Sequence, residues 1–397
     1  MYFIGHTRFS QYIPNSKAWN ISTFSEDEYI DYLFSDERMN HRMYIFSKLS
    51  VPMLARMKRG YNYRHIVAYS SILPKKWKQE LFTLNDKYPF LYLHEVDTDD
   101  TNPIYSILSG CDNGAVAYFR LDDDDLLVEN YLDELSQYNN SAFAGMAVSF
   151  GKGYLAHYRD RQFIDFRGCI QKFPSMGLAS IGSFEDGRLE LPKMYSHHNI
   201  DENLPVVVDS RFKAYIQTYH SQQDTHYRFN NTKDSIIASV ENELLKYPKA
   251  NDASELKINF PVLADQIDSF ISNKTVLFKA SQIDLIEKYN HIKVNDVNNS
   301  RAHEIEYLIS TTKPITSSKA FVVSVSFKED QDSVIGLTYS PNPLIGWYKY
   351  IPLVDGICQG HLSFITNAQS AIDSIDIIKW DSRIEGASLI SMEIIDN

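Results

Sequence analysis

Cysteine is scarce in this chain: three residues in 397, Cys111, Cys169 and Cys358, lie far apart with no C-x-x-C pair. That excludes a disulfide framework and a structural zinc site of the usual spacing, and it fits a reducing compartment. Long apolar runs are lacking as well. No stretch approaches the roughly 18–20 residues of a membrane span. The opening MYFIGHTRFS has neither a charged start nor a long apolar centre, so no secretory leader is expected. Positive charge is the third shortage. Lys and Arg total 39 against 51 Asp and Glu, a net charge of −12, which argues against a general nucleic-acid binder. One local basic patch remains, Met53–Arg64 (MLARMKRGYNYR). The expected setting is cytoplasmic and soluble, with peripheral membrane association and homo-oligomerisation left open.

What is present is core-forming material, 44% hydrophobic and 13% aromatic, enough for two domains. Along the first 140 residues apolar strand-like runs alternate with helical ones. YFIGHTRFS (2–10), YRHIVAYSS (63–71), FLYLHEV (90–96) and GAVAYFR (114–120) read as strands. Helices are expected over 26–59, with Ser25 as N-cap and a break at Pro52, and over 73–84, in NPIYSILSGCD and over 126–138. Such alternation implies an α/β fold with a mainly parallel sheet, whose ligands sit beyond the carboxyl ends of the strands. More strands are expected in 142–158, then an irregular stretch to Phe229, then helices over 233–293. Short alternating runs at the end, such as AFVVSVSF and GWYKYIPL, predict a C-terminal β-sandwich. The expected domains are 1–300, including the 233–293 helical extension, and 301–397.

The fourth strand runs straight into four carboxylates, AYFRLDDDDLL (117–127). Adjacent aspartates repel one another, and a divalent cation would offset that repulsion. Hard oxygen ligands suit Mg²⁺ or Mn²⁺, and Asp122, Asp124 and Asp125 supply a D-x-D spacing, with Asp123 turned away. The plainer reading is a solvated acidic turn capping the next helix. Arg8, in the loop after the first strand, and Arg120, just ahead of the aspartates, are candidates for phosphate recognition or for pairing with a carboxylate. Trp347 and Tyr348 could line a glycan site or fill the sandwich core.

The phrase YFRLDDDDLL resembles the RLDDDD signature of the rhamnosyl transferase family of bacterial glycosyltransferases. HTRFS, the long stretch from RMYIFSKLS to WKQEL, and KAYIQTYHSQQDTH agree with it in character. The resemblance covers about residues 1–230 and not the β-rich end. It implies a GT-A-like, Rossmann-type nucleotide-sugar domain that transfers a sugar from a nucleotide donor. The acceptor would be a glycan or lipid-linked glycan of a bacterial surface polysaccharide, and the inner face of the membrane is one place where it would be met. By the same resemblance Asp122 would lie near the donor ribose or the metal, and Asp124 and Asp125 near the metal; Arg8 and Arg120 are candidates for donor binding, and His220 is a candidate third metal ligand. His197, His198 and His226 are alternatives to His220, and Glu185, Asp186, Asp209 or Asp224 would act as general base. The TYHSQQDTH ending departs from the family pattern, which leaves the transferred sugar open. Rival readings are a calcium-dependent glycan-binding protein and a metal-dependent phosphoester hydrolase.

Overall fold

A computed structural model describes residues 1–13, 25–96, 103–159, 161–193, 195–223, 253–267, 275–295 and 299–396, with short pieces between 239 and 250. His226 and Asp224 lie outside the described residues, as does most of the helix expected over 234–247. The chain divides into two units, one of residues 1–240 and 250–268, the other of 241–249 and 269–397.

The first unit opens with β1 (Tyr2–Arg8), then α1 (Glu26–Leu33) and α2 (Asp36–Tyr44). Ser25 caps α1, accepting from the Glu28 N–H while the Glu28 carboxylate accepts from the Ser25 N–H. A π-helical turn, Ile45–Ser50, joins α2 to α3 (Val51–Met57). Pro52 lacks the N–H that an α-helix would use there, and the wider turn absorbs the lost bond without stopping the helix. There follow β2 (Tyr63–Ser70), α4 (Lys75–Lys87), β3 (Leu91–Val96), α5 (Ile104–Leu108), β4 (Gly114–Arg120), β5 (Leu126–Leu127) and α6 (Tyr131–Ser136). Next come β6 (Ala147–Phe150), β7 (Lys152–Arg159), β8 (Gln162–Ile170), β9 (Ala179–Glu185), β10 (Arg188–Glu190), β11 (Val206–Asp209), β12 (Tyr215–Tyr219) and α7 (Ala253–Asn259).

The main sheet has the order β11-β6-β9-β4-β1-β2-β3, with β10 beside β9. Strands β1 to β4 are parallel to one another, and β9 runs against β4 and β6. The sheet is therefore mixed rather than mainly parallel throughout. One face packs Ile4, Ile66 and Val116 on Ile104 and Leu108 of α5; on the other, Tyr131 of α6 lies 5.0 Å from the Phe119 ring. A smaller sheet, β5-β12-β7-β8, stands beside it.

Three expectations need correcting. Residues 126–138 are not one helix: Leu126 and Leu127 pair with Ile216 and Tyr215, and only 131–136 is helical. The stretch to 229 is not irregular but supplies β8 to β12. The helical extension stops early, because β13 (Thr275–Asp284) and β14 (Tyr289–Lys293) already belong to the second unit, which starts near 269 and not at 301. For Leu126–Leu127 and for β13 the deciding contacts come from distant partners, which local periodicity does not register.

The second unit continues with β15 (Ser300–Thr311), β16 (Ser317–Phe327), β17 (Val334–Ile335), β18 (Thr338–Ser340), β19 (Gly346–Leu353), β20 (Ile357–Ser370), β21 (Ile372–Lys379) and β22 (Ala387–Asp396). Two antiparallel sheets result, β13-β22-β15-β20-β17 and β14-β21-β16-β19-β18. Ile305, Leu362 and Leu389 from the first and Phe321, Val323 and Ile375 from the second share one apolar core. Among the described residues no helix is long and apolar enough to cross a membrane.

Candidate functional site

Strands β1 and β4 are neighbours in register, with His6 opposite Arg120, and the Leu121 N–H donates to the His6 carbonyl at 3.0 Å. Both strands deliver an arginine at their carboxyl ends, Arg8 and Arg120. Buried Leu121 then anchors the start of the acidic turn, which closes as the Asp125 N–H donates to the Asp122 carbonyl at 3.3 Å.

The four carboxylates part company inside this turn. Asp123, 1% exposed, accepts from the Ser10 N–H at 2.9 Å and the Ser10 hydroxyl at 3.3 Å, and it forms an ion pair with Arg42. It does not face away, as the sequence suggested, because the β1 loop needs an acceptor there: Ser10 sits at φ +42. Arg38, one turn before Arg42 on α2, donates to the Ser10 hydroxyl at 2.9 Å and the Leu33 carbonyl at 3.0 Å. Asp124 meets Arg42 at 3.2 Å and His220 Nε2 at 3.1 Å. Burial works against its ionisation, but Arg42 and His220 outweigh it and hold the carboxyl below its usual range. Asp125 accepts the Thr218 N–H at 2.8 Å; burial and the Asp124 and Asp122 charges push it well above the ordinary value.

Asp122 is different. Its carboxylate accepts no hydrogen bond from a described residue, and burial and Asp124 raise its pKa while Arg8 and Arg120 pull it down. Arg120 is half-buried, with Nε and one terminal nitrogen lacking any partner. Four guanidiniums thus answer four carboxyls, in two groups. Arg38 and Arg42 are spent inside the protein; Arg8, Arg120 and Asp122 are not.

His220 is not placed as a metal ligand. Its Nδ1 accepts the Gln222 N–H at 3.2 Å, so the proton resides on Nε2 and points at Asp124. Burial lowers its pKa, which keeps the ring neutral, and neither nitrogen offers a lone pair. Asp125 commits one carboxylate oxygen to the Thr218 N–H. Among the described residues no group of three His, Cys, Asp or Glu forms a ready-made metal cage. The donor set fits a smaller role: Asp122 and the second oxygen of Asp124, two carboxylates, with the remaining positions left to water and phosphate, as Mg²⁺ and Mn²⁺ sites commonly have.

The expected general bases are not brought together here. Glu185 and Asp186 follow Phe184, which lies opposite Gly114 at the start of β4, so the length of that strand, about 20 Å, separates them from the turn. Asp186 is exposed at a hairpin tip, tied to Asn113. Asp209 does end at the right edge of the sheet, but roughly 14 Å away across three strand spacings. Its carboxylate is filled by Arg211 at 2.7 and 3.0 Å and by the Tyr138 hydroxyl at 2.8 Å. His197 donates from Nδ1 to the Phe173 carbonyl at 2.8 Å, and burial, with His198 and Arg120 close by, lowers its pKa. His198 is exposed. The basic patch is partly spent on the surface, where Arg56 and Arg59 pair with Glu129.

Sequence reasoning missed Arg38 and Arg42. The signal existed, since R-x-x-x-R in RMNHR puts both side chains on one helix face.

Residues 2–231 match the model of the family described as "Putative rhamnosyl transferase". No curated protein matches the chain. Among solved structures, S. aureus TarS 1–349 overlaps with a TM-score of 0.27 at 12% identity, covering 69% of this chain and 71% of that one. The same TarS segment in complex with UDP gives a TM-score of 0.29 at 12% identity, with 68% and 83% covered. A nucleoside-diphosphate-sugar pyrophosphorylase from Vibrio cholerae RC9 gives 0.24 at 10% identity, with 55% and 92% covered. Overlaps this loose carry no argument about the chain.

Proposed function

The chain belongs to the rhamnosyl transferase family, a family of glycosyltransferases, and from that premise we propose that it moves a sugar from a nucleotide donor to a bacterial surface polysaccharide or its lipid-linked precursor. The observation that carries the reading is the uncommitted trio Arg8, Arg120 and Asp122 at the carboxyl ends of adjacent parallel strands. That edge is where open α/β sheets take their ligands. Two guanidiniums there suit the oxygens of a diphosphate.

In this GT-A-like reading Asp122 and Asp124 would hold a Mn²⁺ or Mg²⁺ ion, which would supply further charge neutralisation at the donor diphosphate. The protein's own part is positioning and charge. Arg120, held half out of water, forms stronger hydrogen bonds with phosphate than an exposed arginine would. Arg42 and His220 keep Asp124 ionised and aimed, and Asp123 fixes Ser10 in the loop that follows Arg8 at the end of β1. The acceptor would be met in the cytoplasm, with the membrane face as one source of lipid-linked glycan.

The test is thermal stabilisation of the full chain by UDP, GDP, CDP and dTDP, each with and without Mn²⁺. At least one nucleotide should raise the melting temperature, more with the ion, and Asp122→Asn or Arg120→Gln should abolish the shift. A shift that survives both substitutions would place the nucleotide elsewhere.

A further inference from the structure

The second unit carries an aromatic surface of its own. Along β19, successive side chains take opposite faces of the sheet. Trp347 lies opposite Val325 of β16 and packs against the aliphatic core. Tyr348 and Tyr350 lie opposite Ser324 and Val322, on the outward face. Tyr350 makes edge-on contacts with Tyr348 at 5.4 Å and with Trp380 at 5.3 Å. Across β16 and β21, Val322 is level with Ile378, and Ile378 with Tyr289 of β14, so Tyr289 shares this face. Val322 and Ile378 are both 0% exposed although they point away from the core, which requires a layer of side chains above them. Tyr350 stands opposite Val322 and Tyr289 opposite Ile378, and the aromatic side chains of this face are partly open to water, Trp380 being 42% exposed and Tyr289 37%.

Charge adds a second constraint. The Lys319 ammonium stands 4.7 Å from the Tyr350 ring centre and that of Lys288 5.6 Å from the Tyr289 ring. Neither lysine has a carboxylate partner among the described residues. The His291 and Asp376 side chains, paired at 2.9 Å, flank the same face with hydrogen-bonding groups. On a chain of net charge −12, two unpaired cations over one aromatic surface are set against the prevailing sign. An exposed aromatic patch of this kind marks a binding surface. Pyranose rings offer C–H faces to aromatic rings and hydroxyls to polar flanks, and an acidic polymer adds anions for the lysines.

We propose that this outward face, centred on Tyr348, Tyr350 and Trp380 with Lys288 and Lys319, binds an acidic polysaccharide. Sugar rings stack on the aromatic side chains and carboxylate or phosphate substituents meet the lysines.

Affinity electrophoresis of the full chain tests this, in native gels containing polygalacturonate, hyaluronate, dextran or polyglutamate. Retardation by an acidic polysaccharide is expected, with little by neutral dextran or by polyglutamate, which has charge but no sugar. Trp380→Ala and Tyr350→Ala should weaken binding about tenfold each. Lys319→Gln, on the surface and neutral for folding, should weaken it with an unchanged melting temperature. Failure of both acidic polysaccharides to retard the chain overturns the proposal. So does equal retardation by polyglutamate or dextran, or unaltered binding by the three variants. A wild-type dimer that Trp380→Ala converts to monomer would instead make the face a protein interface.

Discussion

Arg42 and Asp123 form an ion pair closed off from water, their side chains 9% and 1% exposed, and the same guanidinium also meets Asp124. Removing it strands two carboxylates in a site of low polarity. Arg42→Ala should therefore cost about 3–5 kcal/mol in urea melts, with Arg42→Lys recovering only part because one ammonium cannot serve both partners. A loss under about 1 kcal/mol would show that something else holds the turn.

His220 separates two accounts of Asp124. As a hydrogen-bond donor from Nε2, it can be replaced by glutamine, whose amide reaches the same point. His220→Gln should thus keep Mn²⁺-dependent nucleotide stabilisation within about threefold, whereas loss of a true metal ligand or its essential support costs about 10–100-fold. Titration of Mn²⁺ against the melting temperature in saturating nucleotide distinguishes the two.

Asp209 supplies a pH signature. Arg211 holds its pKa down at about 2, against an ordinary 3.8. A depressed carboxyl stabilises the fold above its unfolded pKa, and that contribution drains away as pH falls through the folded value. Asp209→Asn should cost about 1–2 kcal/mol at pH 7. The gap between variant and wild type should close as pH drops from about 4 to 2. A gap that stays constant over that range would mean the Asp209 charge is not the source.

Glu185 and Asp186 should prove dispensable. Both sit at the far end of β4 from the acidic turn, so Glu185→Ala and Asp186→Ala should leave nucleotide stabilisation and sugar transfer unchanged and shift stability by no more than about 0.5 kcal/mol. A large fall in turnover from either, with normal melting, would require a different site.

Gly5 fixes how closely β1 can approach its neighbours. A Cβ there would run into the buried His65 ring and touch Phe119 at 3.0 Å. Gly5→Ala should destabilise by about 1–3 kcal/mol and, by shifting the strand that ends in Arg8, weaken nucleotide stabilisation as well. An unchanged melting temperature would show that the core yields there.

Strands β1 to β4 could be read from the sequence because each is an apolar run bounded by polar turns, and the aspartates' place at the carboxyl end of β4 followed from it. The D-x-D spacing singled out Asp122 and Asp124 as candidates. What could not be read depends on partners far along the chain. Leu126 and Leu127 look helical until Tyr215 and Ile216 arrive beside them. Thr275–Asp284 looks helical until β22 pairs with it. The direction of His220 was hidden for the same reason, since it depends on Gln222 and Asp124 together. In GWYKY the period of two was visible, but which ring faced the core needed the partner strand, where Val325 and Ser324 decide between Trp347 and Tyr348.

The bonds that order the acidic turn span long stretches of chain. Asp123 and Ser10 are 113 positions apart, Asp125 and Thr218 are 93, and Asp124 and His220 are 96. Closing such loops costs entropy before any contact returns it. During synthesis, strands β1 to β4 can pair well before residue 220 exists, so a half-built chain carries its four carboxylates without Thr218 or His220. The Thr218 and His220 bonds to the turn form only as β12 emerges, about a hundred residues later, on the order of ten seconds of chain elongation. Until then Ser10 and Arg42 can already hold Asp123 and Asp124, while the Asp125 carboxylate still lacks the Thr218 N–H and Asp124 its second partner.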